Sequence, residues 1–289
     1  MPELPEVEAL AAYLRDRAVG RRITAVWPTA ISAVKTFQYP METLIGGQIA
    51  DAGRHGKFLD LGIEPDFGSE LRLVIHLARG GWLQYRERMP SLPPKPGKGP
   101  LALRMRLDDG AGFDLTEAGT KKNLAIYLVA EAAQVPGIAR LGPDALVVGE
   151  EEFAARMSAQ NSQVKRAITN QTVIAGVGNA YSDEILHAAK LSPFANASRL
   201  DRGRLDELYD VMRSILAEAV RRSVGARAAE LKSEKRSGLR VHGRTGLPCP
   251  VCQDTVAEVS YSDRSLQYCH TCQTGGKPLA DRRMSRLLR

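Results

Sequence analysis

Cys249-Pro250-Val251-Cys252 and, after sixteen intervening residues, Cys269-His270-Thr271-Cys272 hold every cysteine of the chain. Two CxxC knuckles at this separation suit a closed tetrahedral site of four thiolates around one structural Zn2+, with a β-hairpin between the knuckles. Four thiolates leave no open position for water, and His270 is expected at the surface rather than as a fifth ligand. A pair of disulfides is the rival reading and requires an oxidising compartment. No charged, apolar, small-residue leader opens the chain and no run of about 18 apolar residues occurs, so secretion and membrane spanning are not expected. Between the knuckles, Val256 to Tyr268 forms two strand-like runs around the polar turn Ser262-Asp263-Arg264. An arginine at the tip of a metal-stiffened hairpin is suited to gripping phosphate or entering a groove. On spacing alone, a solvated turn residue fits as well.

At the other end stands Met1-Pro2-Glu3-Leu4-Pro5-Glu6-Val7-Glu8. Removal of Met1 leaves a secondary amine beside a carboxylate. An α-amino group titrates at roughly 7.7 to 8, far below a lysine, so it is substantially unprotonated near neutrality without burial. It can attack an aldehyde-like carbon such as C1′ of a deoxyribose and form an iminium. Taken alone, the proline is more simply one that opens a helix, where its missing amide is no loss. The cysteine-rich end shifts the balance.

The chain has 289 residues, 44% of them hydrophobic, enough for two domains with real cores. Lys and Arg number 40 against 33 Asp and Glu, a net charge of +7. From Arg221 to Arg244 eight basic residues face two acidic ones, a local +6, and the tail adds Lys277, Arg282, Arg283, Arg286 and Arg289 against Asp281. Unbalanced basic stretches flanking a zinc hairpin point to a polyanion partner, most simply nucleic acid.

Val7, Leu10, Ala11, Leu14 and Ala18 recur at helical spacing and stop before Gly20. Strand-like runs follow at 57–61, 71–77, 82–85 and 101–107, the last before the turn Asp108-Asp109-Gly110. Met89 to Pro100, rich in Pro, Gly and Lys, reads as a loop. Beyond Leu141-Gly142-Pro143 the periodicity turns helical, through 153–160, 164–171, 180–189 and 205–224, which sets a boundary near residues 131 to 145. Within that half, Gly176-Val177-Gly178-Asn179 lies between two helices. Backbone amides at a helix start, reached through glycines, make an anion site. A tight helical hairpin that needs glycine for steric reasons is the alternative.

These residues together resemble the bacterial formamidopyrimidine-DNA glycosylase and endonuclease VIII family of base-excision repair enzymes, over essentially the whole chain. The opening Pro2-Glu3-Leu4-Pro5-Glu6 is similar to the formamidopyrimidine branch. The resemblance implies an α+β multidomain fold: an N-terminal β-sandwich with an N-terminal helix (1–135), a helix-two-turn-helix DNA-binding domain (136–240) and a zinc finger (241–289). It implies a bifunctional DNA glycosylase and abasic-site lyase working by β,δ-elimination. Pro2 would be the nucleophile, Glu3 the acid at the sugar ring oxygen, and Lys57 in Gly56-Lys57-Phe58 a phosphate-binding and catalytic lysine. Asn179 and Arg264 would hold phosphates flanking the lesion, assisted by His76, and Arg264 is counted with the catalytic set. Cys249, Cys252, Cys269 and Cys272 would be the zinc ligands. The partner would be damaged DNA and not a membrane, the protein a monomer, and its place the cytoplasm, at the nucleoid.

Three devices for lesion recognition depart from the family. Where its formamidopyrimidine members usually read His-Leu-Gly-Met-Ser-Gly, this chain has His76-Leu77-Ala78-Arg79-Gly80-Gly81, with Arg79 at the void-filling methionine. Where they usually read Asp-Pro-Arg-Arg-Phe-Gly, it has Glu117-Ala118-Gly119-Thr120-Lys121-Lys122-Asn123-Leu124, so the void-filling arginine and phenylalanine have no clear counterpart and Lys121 and Lys122 are the candidates in their place. The stretch from Gly225 to an expected strand at Val241-His242-Gly243-Arg244 is short for a loop that caps flipped 8-oxoguanine. A family member that binds damage without base-excision turnover, or a zinc-finger DNA-binding protein without catalysis, are the rival functions. Intact Pro2, Glu3 and Lys57 argue against both.

Overall fold

A computed structural model describes residues 1–66, 68–95, 99–228, 230–261 and 265–280. Two compact units emerge, one of residues 1–140 and 220–232, the other of residues 141–219 and 233–289. Among the described residues no helix is long and apolar enough to cross a membrane.

The first unit opens with α1 (Leu4–Arg17), which buries Leu4, Val7, Leu10, Ala11 and Leu14. It ends at Ala18, with Gly20 beyond it at φ +83°. Eight strands follow: β1 (Ile23–Pro28), β2 (Gln48–His55), β3 (Phe58–Glu64), β4 (Leu71–His76), β5 (Gly81–Arg86), β6 (Leu101–Leu107), β7 (Gly112–Glu117) and β8 (Ala125–Val129). They form two four-stranded sheets, ordered β1-β6-β7-β5 and β2-β3-β4-β8, with antiparallel pairing throughout. One core joins both sheets and α1, with Leu59, Leu61 and Leu73 from one sheet and Leu103, Phe113 and Leu115 from the other. The strands β3 and β4 read as nearly continuous apolar runs because they are covered on both faces. On the face turned away from that core, Phe58, Val74 and Tyr127 pack with Val135 and Ile138. Gly137 has no side chain there because a Cβ would come within 2.5 Å of the Phe58 ring.

The segment 220–232 returns to this unit. Ala228 and Leu231 enter its core, and the buried indole Nε1 of Trp82 donates to the Ala228 carbonyl at 2.9 Å.

The second unit contains α2 (Glu150–Ser158), α3 (Val164–Thr169), α4 (Asn179–Ala188) and most of α5 (Arg202–Ser223). Leu205, Leu208, Met212, Leu216 and Ala219 form the buried stripe of α5, at the three- and four-residue spacing of an amphipathic helix. A short helix α6 (Leu231–Ser237) precedes the hairpin β9 (Val256–Ser260) and β10 (Ser265–Cys269), and α7 (His270–Thr274) follows it. The α+β class and the cysteine-bearing hairpin agree with the sequence reading.

The strand expected at Val241–Arg244 is absent: this stretch forms a turn. Its amides are used elsewhere. The Arg240, Val241 and His242 N–H groups donate to the Glu184 carboxylate at 2.7, 3.0 and 2.8 Å, so they cannot join a ladder.

Candidate active site and metal centre

Pro2 and Glu3 are buried at the head of α1, and Met1 before them is half-exposed. Glu3 is the N-cap and forms a capping box with Glu6, whose carboxylate accepts from the Glu3 amide at 2.7 Å. The box fixes the backbone on either side of the Glu3 carboxylate.

Lys57, also buried, sits in the two-residue turn Gly56-Lys57 that joins β2 to β3. Gly56 takes φ +56°, and a glycine at the first central position suits a type II′ hairpin. Two braces hold this turn. Arg54 donates to Glu8 of α1 at 2.8 Å and to the Gly56 carbonyl at 3.3 Å, which links the turn to the helix that carries Pro2 and Glu3. His55 Nε2 meets Asp60 Oδ2 at 2.9 Å, and Arg72 donates to both Asp60 oxygens at 3.1 and 2.8 Å. Burial opposes a charge on Asp60, but the bonds from His55 and Arg72 outweigh it and hold the carboxyl below its ordinary range. Glu8, Arg54 and Asp60 were not anticipated, since isolated charged residues in a helix or a strand carry no distinctive pattern.

His76 ends β4 opposite Phe58, with ring centroids 4.7 Å apart. Burial and the neighbouring Lys57 ammonium push its imidazole down to about 4, so it is neutral at physiological pH. A neutral imidazole offers one donor and one acceptor.

Beyond His76 the chain turns through Ala78-Arg79-Gly80-Gly81 into β5. Ala78 adopts φ +50°, a left-handed conformation uncommon for a residue with a side chain. Arg79 is exposed. A Cβ on Gly80 would lie 2.4 Å from the Ala118 carbonyl oxygen, and one on Gly81 only 2.1 Å from that of Leu77. The Ala118 amide donates to the Gly80 carbonyl at 3.0 Å, which brings the Arg79 turn beside the loop of Lys121 and Lys122. Both lysines are exposed; Lys122 Nζ donates to the Glu117 carbonyl, and the Glu117 carboxylate accepts the Asn123 and Leu124 amides. Because the contacts at Gly81 are with backbone, Gly81→Ala is expected to lower the unfolding free energy by about 2 kcal/mol or more. Arg79→Ala is expected to leave it within about 0.5 kcal/mol. Urea unfolding of both variants tests this, and equal stabilities would contradict the steric reading.

In the second unit, half-buried Asn179 begins α4 after Gly178, and its side-chain amide donates to the Ser265 carbonyl at 2.8 Å. Lys165 donates to Ser182 and Asp183 at 2.7 and 2.6 Å, and Asp183 also accepts from the Gln267 amide at 3.2 Å and meets His242 at 2.6 Å. Burial lifts the Glu184 carboxyl above its ordinary range despite its three amide donors. Lys235 lies 4.7 Å from the Tyr181 ring centroid. The turn Ser262-Asp263-Arg264 lies outside the described residues, and Arg264 with it.

The four cysteines are unbridged, and their sulfurs all lie within 4.8 Å of one another. Cys249 and Cys272 are 3.9 Å apart, and Cys252 and Cys269 3.3 Å. Sulfurs placed tetrahedrally about 2.3 Å from a zinc ion would be about 3.8 Å apart, so the cluster fits that ion. Burial pushes the Cys269 thiol up to about 11 and raises Cys272 as well. Such thiols ionise readily only against a positive charge.

Residues 1–121 match the formamidopyrimidine-DNA glycosylase N-terminal domain and residues 141–230 the H2TH domain of the same enzymes. A formamidopyrimidine-DNA glycosylase-like protein of Mycobacterium tuberculosis is 62% identical over 157 residues, 54% of this chain and 99% of that one. The formamidopyrimidine-DNA glycosylase of Rhodococcus erythropolis is 32% identical, covering 94% of this chain and 97% of its own length. Among solved structures, Lactococcus lactis Fpg with DNA containing an abasic site superposes with a TM-score of 0.82 at 25% identity, over 94% of this chain and all of that one. The same enzyme with DNA containing an oxidized pyrimidine gives the same score, identity and coverage.

Proposed function

Because the chain belongs to the formamidopyrimidine-DNA glycosylase family, we propose that it is a DNA glycosylase that also cleaves abasic sites, with Pro2 as nucleophile. One observation carries the proposal: the buried Pro2-Glu3 pair at the head of α1, joined through Glu8 and Arg54 to the turn that bears Lys57. A binding protein without turnover has no use for a terminal amine beside a buried carboxylic acid.

The Pro2 nitrogen attacks C1′ of the damaged nucleotide and the base departs with the proton that the amine gives up; Glu3 protonates the ring oxygen as the C1′–O4′ bond breaks, which leaves an iminium joining Pro2 to C1′. The iminium acidifies the C2′ proton, so the 3′ phosphate leaves, and further elimination expels the 5′ phosphate. Glycosylase and lyase activities thus share one intermediate. Reaching C1′ requires the nucleotide to leave the stack. Asn179 and Arg264 would hold the flanking phosphates, assisted by the neutral His76, with Lys57 as the phosphate-binding and catalytic lysine. Cys249, Cys252, Cys269 and Cys272 would hold a zinc ion whose part is to stiffen the β9–β10 hairpin. Borohydride trapping on DNA that carries an abasic site or a panel of oxidised bases tests the reading, since only an imine-forming enzyme gives a covalent adduct.

Substrate choice follows from the two loops. Filling the hole left by a flipped purine recovers part of an unstacking cost of a few kcal/mol, and apolar or planar side chains do this best. Arg79 can stack its guanidinium but brings a charge suited to phosphate, and neither Lys121 nor Lys122 can stack as phenylalanine does. Abasic sites, ring-opened or pyrimidine lesions and lesions in unpaired DNA are therefore expected to be processed faster than 8-oxoguanine opposite cytosine. Single-turnover rates on matched substrates decide this; fastest excision of 8-oxoguanine opposite cytosine would overturn it.

A further inference from the structure

We propose that His187 is a positioning residue of the metal centre, whose imidazole N–H donates to the Cys249 thiolate and so ties the first cysteine knuckle to helix α4. The inference rests on the reading of the four thiolates as a zinc site. His187 lies in the last turn of α4 and is 2% exposed. Its Nε2 is 3.2 Å from Cys249 Sγ, and its Nδ1 is buried without a hydrogen-bond partner among the described residues. A metal-bound thiolate carries no proton and can only accept, so the imidazole proton resides on Nε2. Among the described residues the sulfur is thus the one hydrogen-bonding contact that this buried side chain makes, and an apolar residue would fill the same space without leaving Nδ1 unsatisfied. That cost is understandable if the bond to sulfur has a use. Four thiolates on a dication carry a net charge of −2, which N–H donors disperse. The Val251 amide points at the same sulfur at 3.5 Å.

The bond also completes a pattern along α4. Asn179 donates to the Ser265 carbonyl, Asp183 accepts the Gln267 amide, Glu184 accepts three amides of residues 240–242, and His187 reaches Cys249. The residues succeed one another at intervals of four, one and three, one side of a helix over two turns. The first three grip backbone. His187 alone among them reaches a metal ligand, so through it α4, which begins at Asn179, senses the metal centre directly.

The test uses full-length protein with zinc, and with cobalt in its place. His187→Phe keeps the bulk and removes the donor; His187→Gln keeps an amide N–H. An N–H aimed at a thiolate lowers the energy of the sulfur lone pair, so its loss should move the sulfur-to-cobalt charge-transfer band to longer wavelength. His187→Phe is expected to show that shift and to lose zinc to a chelator about ten times faster or more, with His187→Gln falling between it and the unsubstituted protein. Wild-type band position and release rate in both variants would overturn the proposal. Equal losses in Phe and Gln would also overturn it, by assigning the effect to packing. Unsubstituted protein that takes up neither zinc nor cobalt would instead remove the zinc reading on which the proposal stands.

Discussion

A form of this protein that keeps Met1 is expected to give no borohydride-trapped adduct on DNA with an abasic site, while the form that begins at Pro2 is trapped. With Met1 in place the Pro2 nitrogen belongs to a tertiary amide; its lone pair is delocalised into the carbonyl and cannot attack C1′. Removal of Met1 changes that nitrogen into a secondary amine that titrates near neutrality. The surroundings are already set, since Glu3 is buried and its backbone is held by the Glu6 box. Pro2→Gly leaves a primary terminal amine with the same access, so trapping should weaken roughly tenfold rather than vanish. The contrast separates the nucleophile from the fold, because neither change touches the core of α1. Undiminished trapping with Met1 in place would transfer the role to another amine, and Lys57 would be the first to test.

The elements that carry this chemistry were legible for local reasons. Apolar spacing in Val7-Leu10-Leu14 marked α1, and the aliphatic runs in β3, β4 and β6 marked buried strands, because in each case burial is written into neighbouring residues. Cysteine spacing likewise marks four sulfurs as one cluster, and the structure brings them within 4.8 Å. What escaped the sequence depends on partners far along the chain. Glu184 takes the amides of residues 240–242, some 56 to 58 positions away, and turns an expected strand into a loop. Trp82 bonds a carbonyl 146 residues on and draws the segment around Ala228 onto the sandwich. The braces of the Lys57 turn are of the same kind: Arg54 finds Glu8, 46 residues earlier, and no periodicity marks either residue. His187 sits in an ordinary helical repeat, and only the approach of Cys249, 62 residues later, gives its imidazole a role.

Cys269→Ser is expected to lose zinc and DNA binding together. Cys269 is fully buried where β10 passes into α7, and its amide donates to the Gln273 side chain at 2.9 Å, so its sulfur is fixed by the backbone of the hairpin itself. Three remaining thiolates bind the ion far more weakly, and a small metal-dependent lobe unfolds without it. The described cluster around the knuckles themselves contains little beyond Val241, Val256 and the cysteines, while Val259, Leu266 and Tyr268 of the hairpin pack separately with Phe194. Among the described residues the hairpin strands pair only with each other, so their further support comes from the metal site and from the bonds to α4. On the proposed reading Arg264 would then no longer be held toward a phosphate, although the sandwich that carries Pro2 has its own core. Arg264→Ala makes the complementary change: zinc content should stay at one ion per chain, while DNA affinity falls and the slope of its logarithm against that of salt drops by about one phosphate contact. Metal analysis and salt-dependent binding of the two variants separate a stiffening ion from a phosphate-gripping side chain. DNA binding that survives in Cys269→Ser after zinc has gone would show that the hairpin is not what holds the strand, and folded, reduced protein devoid of zinc would end the metal assignment.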